Sequence, residues 1–245
     1  MRARLYISHR FSITVALILA SVALLLTFMS TISYVSHYLA SAHLSGSLAE
    51  NALKPLNAFQ VDRERSFPTL YAALLWLVCS TLLAGVALSG RTSANRYVMH
   101  WGALAVIFLY LFADELLQVH EEVGEPLRNV LGSTGFLYAA WVIPASVLLL
   151  VLGILYARFV LDLPARTRRL FMVAGSLFVM GAIGLEMIGG YYVSSSGQQG
   201  VGFIAVSTVE ELFEMLGITV FVYALVEYMR QHVSEITIPP FSKKS

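Results

Sequence analysis

The sequence has little charge and a single cysteine, and each shortage excludes a class of protein. Only 13% of the residues are charged, whereas an average soluble domain carries about 25%. Long apolar runs account for the difference, so no soluble domain fits beside them within the 245 residues. Cys79 lies inside one of these runs. An intrachain disulfide and a metal site built from several cysteines are therefore excluded.

Familiar catalytic and nucleotide-binding motifs are also missing. The chain contains no Walker loop, no GxGxxG fingerprint, no HExxH pair and no GxSxG elbow, which argues against the enzyme classes that depend on them. It has no basic patch of the kind that binds nucleic acid, so we expect no nucleic-acid partner.

Six apolar segments are long enough to cross a bilayer, which takes about 20 residues. They predict an all-α, polytopic membrane helix bundle of about six transmembrane helices, with residues 1–245 forming one transmembrane domain. The predicted spans are residues 11–34, 68–88, 97–118, 136–161, 170–192 and 203–229, and residues 36–67 form the only long loop. The first run resembles a signal peptide, since Ala40–Ala42 could be cleaved, but it exceeds the usual length of about 7–15 apolar residues. We expect it to remain as a helix.

The distribution of lysine and arginine predicts the orientation. With the N-terminus in the cytoplasm, 12 of the 16 Lys and Arg residues fall on inside segments and four on outside loops. The positive-inside rule therefore predicts that both termini are cytoplasmic and that loop 36–67 faces outside. We expect a multi-pass protein of the bacterial cytoplasmic (inner) membrane, in contact with the lipid bilayer. Trp141 would then belong to an outer aromatic belt.

Acidic residues are concentrated where apolar ones would be expected. Nine of the 15 lie in three places, and the predicted topology brings all three to the outer third of the bilayer. Intramembrane acids usually face a bundle interior or a cavity and mark function. The nine are Asp114, Glu115, Glu121, Glu122 and Glu125 at the end of the third span, Glu186 in the fifth, and Glu210, Glu211 and Glu214 in the sixth.

Crowded carboxylates in a low dielectric repel one another and need cations, shared protons or water. A divalent metal is the most economical partner. Oxygen-rich ligands with at most one histidine favour iron, manganese, calcium or magnesium over zinc or copper. The candidate metal ligands are Asp114, Glu115, His120, Glu121, Glu186, Glu210, Glu211 and Glu214.

Some of these residues have simpler interpretations. Glu121, Glu122 and Glu125 also fit the solvated end of a helix, and acids at the start of the last span suit its helix dipole. On an ideal helix, His120 lies about 120° from Asp114 around the axis, so it joins the site only if the helix ends or loosens near Gly124.

The order of the acidic motifs resembles that of uncharacterised multi-pass bacterial membrane proteins. The resemblance consists of D-E-x4-H-E at residues 114–121, a lone Glu186, and E-E-x2-E-M-x-G at residues 210–217. It covers spans three to six and implies no named activity. Ferritin-like di-iron proteins need two Glu-x-x-His pairs, and this chain has none.

Three functions stay open. The first is a metal-binding membrane protein, including an enzyme that acts on a lipid-like or quinone-like small molecule. The second is a proton- or cation-coupled transporter. Against it, the predicted cytoplasmic half has few acids to continue a cation path, namely Asp162, Glu227 and Glu235. The third is a non-catalytic subunit or assembly factor of a larger membrane complex.

Overall fold

The structure is a computed structural model that describes residues 2–4, 7–43, 53–61, 63, 65–92, 96–197, 200–233 and 235–237. Helices account for most of these residues, which confirms the predicted all-α bundle. The α-helices are α1 (His9–His43), α2 (Phe67–Thr92), α3 (Val98–Leu117), α4 (Val119–Leu131), α5 (Val142–Asp162), α6 (Ala165–Val179), α7 (Glu186–Ser196) and α8 (Val201–His232). A π-helical segment, Met180–Leu185, joins α6 to α7.

Shorter elements connect or cap the helices. Two 3-10 turns span Lys54–Phe59 and Gly135–Leu137. Strands β1 (Arg2–Arg4) and β2 (Glu235–Thr237) pair antiparallel, so the two ends of the described chain lie together. The 3-10 turn at Gly135–Leu137 explains why α5 begins at Val142 rather than near residue 136, where the predicted fourth span starts.

Five helical segments among the described residues are long and apolar enough to cross a membrane. They are His9–Ala40, Phe67–Ser89, Val98–Leu117, Val142–Asp162 and Ala165–Ser196, and they correspond to the first five predicted spans. Helix α8 contains the sixth predicted span but is not one of the five. Its crossing of the membrane therefore stays a prediction.

Helix α8 is the central element of the bundle. It packs against α1, α2, α6 and α7, and its buried side chains include Met215, Ile218 and Leu225. The surrounding helices expose large apolar side chains outward, such as Leu17 on α1 and Leu150 on α5. Apolar side chains that face outward suit a bundle surrounded by lipid.

Two glycines bring α8 into backbone contact with α6 and with the π-helical segment that follows it. A Cβ atom at Gly217 of α8 would lie 2.8 Å from the backbone nitrogen of Phe178, and one at Gly181 would lie 2.9 Å from the carbonyl oxygen of Glu210. Small residues allow this approach between membrane helices. The contact sets the position of α7, which continues from α6, against the first half of α8.

Charged side chains from several helices form ion pairs at one end of the bundle. There, Arg96 pairs with Asp162, and Glu227 contacts both His9 and Arg166. We call this the arginine-rich end, and it is the end that the charge distribution predicts to be cytoplasmic. Its arginines in the described chain include Arg96, Arg158, Arg166, Arg168, Arg169 and Arg230.

Candidate carboxyl cluster

The first turn of α7 faces a carboxylate-bearing turn of α8. Glu186 and Glu210 lie close together, and the charge of Glu214 also acts on Glu210. Glu210 is only 9% exposed. Ionised carboxylates only accept hydrogen bonds, so a bond between Glu186 and Glu210 requires a proton on one of them.

A local irregularity in the helix places Glu186. The π-helical segment Met180–Leu185 ends directly before it. A π turn inserts about one extra residue, and one residue corresponds to about 100° around the helix. The segment therefore changes the face on which Glu186 and the rest of α7 lie. Such π-bulges occur frequently at functional sites.

Helix α3 contributes a further carboxyl group. The charged groups that act on Glu214 are all carboxylates, those of Glu211, Glu115 and Glu186. The indole of Trp76 on α2 lies close to Glu115. We define the carboxyl cluster as Glu115, Glu186, Glu210, Glu211 and Glu214, which come from α3, α7 and α8. The structure brings acids of these three helices near enough to act on one another.

Asp114 and His120 form a pair beside this cluster. Asp114 accepts a hydrogen bond from the backbone nitrogen of His120 at 3.2 Å, and its Oδ2 lies 2.7 Å from the ring Nδ1. The pair forms because α3 ends at Leu117 and Gln118 adopts a left-handed conformation with φ 51°. The helix therefore breaks earlier than Gly124, and the chain folds His120 back onto Asp114.

The surroundings of His120 favour its charged form. Burial lowers the pKa of His120, but the hydrogen bond to Asp114 and the charges of Asp114, Glu121 and Glu115 raise it, and the net shift is upward. The ring remains partly exposed. The ring is therefore open to water on one side and bonded to Asp114 on the other.

Trp141 links the Asp114–His120 pair to the carboxyl cluster. Its ring centroid lies 4.8 Å from that of His120, and its Nε1 donates to Glu186 Oε1 at 3.4 Å. A Cβ atom at Gly124 would lie 3.4 Å from Trp141 Cδ1, so α4 packs closely on the indole. Sequence reasoning assigned Trp141 to the aromatic belt and missed this role.

The three remaining acids of α4 lie at its exposed surface. Glu121 Oε1 is 4.0 Å from His120 Nε2, and Glu125 Oε1 is 4.0 Å from Arg128. Glu122 is also exposed. Glu122 and Glu125 thus correspond to the solvated helix end that the sequence allowed, and Glu121 lies at the edge of the Asp114–His120 pair.

Proximity of the candidate ligands does not by itself make a metal centre. In the part of the chain that the structure describes, no group of three or more His, Cys, Asp or Glu side chains is arranged to hold a metal ion. The predicted ligands approach one another without forming such a set. The divalent metal therefore stays a prediction.

A known protein family matches most of the chain. The family model described as "Domain of unknown function (DUF8692)" matches residues 16–228. The chain belongs to this family. The DUF8692 match contains the whole carboxyl cluster, the Asp114–His120 pair and Trp141. No curated protein and no solved structure matches the chain.

Proposed function

We propose that this membrane protein binds cations reversibly at the carboxyl cluster, and that the favoured cation is the proton. The observation that carries the proposal is the close approach of Glu186 and Glu210, from two packed helices, inside the bundle. Two carboxyl groups in contact share a proton or bind another cation, because two adjacent carboxylates repel each other.

The energetics support a compensating cation. Even on lenient insertion scales, one acid at the centre of a membrane helix costs about 2.5–3.5 kcal/mol. The groups that act on Glu214 are themselves carboxylates, so each added negative charge raises that cost. Bound protons remove the repulsion without requiring the ligand geometry of a metal site.

A partly exposed histidine beside the cluster supports the same proposal. The charge of His120 acts on Glu115, and the charge of Glu115 acts on Glu214. Histidine is the side chain best suited to carry protons near neutral pH. Reversible proton binding from one side of the membrane is the property that a proton-coupled transporter requires, and we favour that class.

A divalent metal is the second candidate, and one observation favours it. Carboxyl groups from three helices lie near enough to act on one another, and hard cations such as magnesium, calcium, manganese and iron prefer oxygen ligands. On this alternative, the cluster and His120 would form the metal centre of a membrane enzyme for a lipid-like small molecule.

Infrared difference spectroscopy and elemental analysis of the purified protein distinguish the two candidates. We expect a protonated-carboxyl band that titrates with pH and weakens in Glu210→Gln, without stoichiometric metal. Glu125→Gln is the matched control, because Glu125 is 74% exposed and lies outside the cluster. Stoichiometric metal that is lost in Glu186→Gln, with thermal stabilisation when the ion is restored, would establish the metal instead. A protein with neither property would refute cation binding at this cluster.

A further inference from the structure

A second polar network lies at the arginine-rich end, far along α8 from the carboxyl cluster. Glu227 is its centre, and its side chain is only 3% exposed. Arg230 contacts both carboxylate oxygens, with Nε 3.0 Å from Oε2 and Nη2 2.7 Å from Oε1. Arg166 Nη1 and His9 Nδ1 each approach the same carboxylate to 3.3 Å. Gln231 donates to it at 2.7 Å.

The positive charges of this network outnumber the negative ones. Arginine is always protonated in proteins, so Arg166 and Arg230 bring two positive charges to the single carboxylate of Glu227. His9 adds a third when it is protonated. The carboxylate is buried, whereas the Arg166 side chain is 50% exposed and that of Arg230 is 29% exposed. The excess charge therefore faces outward.

The guanidinium groups also retain hydrogen-bonding capacity. Arg166 uses Nη1 toward Glu227 and Nη2 toward the Tyr223 hydroxyl at 2.9 Å, and Arg230 uses Nε and Nη2. Each guanidinium has five N–H donors. The contacts with Glu227 and Tyr223 hold the two groups in place and leave further donors for a ligand.

The position of the network suits an anionic ligand at the membrane surface. Arg166 is in the first turn of α6 and Arg230 in the last turn of α8, at the level where the candidate spans end and lipid phosphates lie. The first turn of α6 has no side-chain cap, and its backbone N–H groups also favour an anion. The nearby acid, Asp162, pairs with Arg96 and Tyr97.

We propose that Arg166 and Arg230, positioned by Glu227, bind the phosphate group of an anionic phospholipid. Guanidinium groups recognise phosphate through paired hydrogen bonds. Basic pockets between transmembrane helices on the cytoplasmic side bind such head groups, and the cytoplasmic leaflet carries anionic lipids. This site is independent of cation binding at the carboxyl cluster.

Thermal unfolding of the purified full chain tests the site, with phosphatidylglycerol, phosphatidylcholine or inorganic phosphate added. We expect phosphatidylglycerol to stabilise the protein. The apparent affinity for this lipid should fall about tenfold in Arg166→Gln, because the variant loses one charged hydrogen-bonded contact. Arg169→Gln is the matched control. It lies on the same helix and removes the same charge, but its Nε bonds the Ala165 carbonyl rather than the network.

Several results would overturn the proposal. Equal losses in Arg166→Gln and Arg169→Gln would indicate unspecific attraction, and equal effects of the two lipids would exclude a phosphatidylglycerol site. Stabilisation by inorganic phosphate at equal concentration would identify a soluble anion as the ligand. Should Arg166→Gln fail to fold, Arg166→Lys keeps the charge near Glu227 and removes the forked donors. Unchanged phosphatidylglycerol affinity in that variant would count against the proposal.

Discussion

At the scale of single residues, the Asp114–His120 pair closes the break between α3 and α4 beside the carboxyl cluster. One carboxylate binds both the backbone and the ring of His120, so it fixes the start of α4 and the charge of the ring together. The contacts of His120 with Trp141 and of Trp141 with Glu186 connect this ring to the buried acids.

The raised pKa of His120 predicts a pH-dependent stability. A histidine whose pKa is higher in the folded state than in the unfolded state stabilises the fold when it is protonated. This stability is fully present below the pKa of the unfolded state, about 6.5, and is lost as the pH rises through the pKa of the folded state. We expect the melting temperature of the purified protein to fall over this window. His120→Gln should remove this component, and a pH profile in His120→Gln identical to that of the unchanged chain would exclude the pair as its source.

The sequence predicts some of these residues better than others. Glu115, Glu186, Glu210 and Glu214 could be found because an acid inside an apolar span is costly and therefore informative. Trp141 could not, because an indole in an interfacial belt and an indole that binds a buried acid look alike in sequence. The break at Gln118 was also hidden, since glutamine has no preference for positive φ.

At the scale of helices, the contact between α6 and α8 depends on Gly217. A Cβ atom there would lie 2.8 Å from the Phe178 nitrogen and 3.0 Å from the Ala174 carbonyl oxygen. We expect Gly217→Ala to destabilise the protein by about 1–3 kcal/mol, because backbone atoms cannot move aside easily. The measurement is the thermal unfolding midpoint in detergent.

Gly175→Ala is the matched control for this prediction. Gly175 lies on α6, and a Cβ atom at its position meets nothing within 4 Å. Alanine there should keep or raise the midpoint, since it favours the helix by about 1 kcal/mol. Equal midpoints for Gly217→Ala and the unchanged chain would show that the two helices separate easily.

The composition of the sequence predicts the helices, but it does not predict the π-helical segment between α6 and α7. Residues 170–192 read as one continuous span, whereas the structure divides this region into α6, a π-helical segment and α7. Met180–Leu185 is as apolar and glycine-rich as its neighbours, so hydropathy carries no sign of the wide turn. The wide turn depends on packing against α8, which only the folded bundle supplies.

At the scale of the whole molecule, the charge distribution predicts that both termini are cytoplasmic. Two fusions measure this, each carrying a reporter that is active only outside the cytoplasm, one at Ser196 and the other after Ser245. We expect activity at Ser196 and none after Ser245, because 12 of the 16 Lys and Arg residues then lie inside. Activity only after Ser245 would reverse the orientation, and with it the leaflet assigned to the Arg166–Arg230 site.

The central position of α8 also has a consequence for biogenesis. Ribosomes deliver the N-terminal helices first, yet α1, α2, α6 and α7 all pack on the last helix of the described chain. Until α8 emerges, the polar groups destined to meet it, such as His9 and Arg166 for Glu227, have no partner from that helix. Completion of the bundle therefore waits for the synthesis of α8, and a chain that stops before α8 lacks the element around which the others assemble.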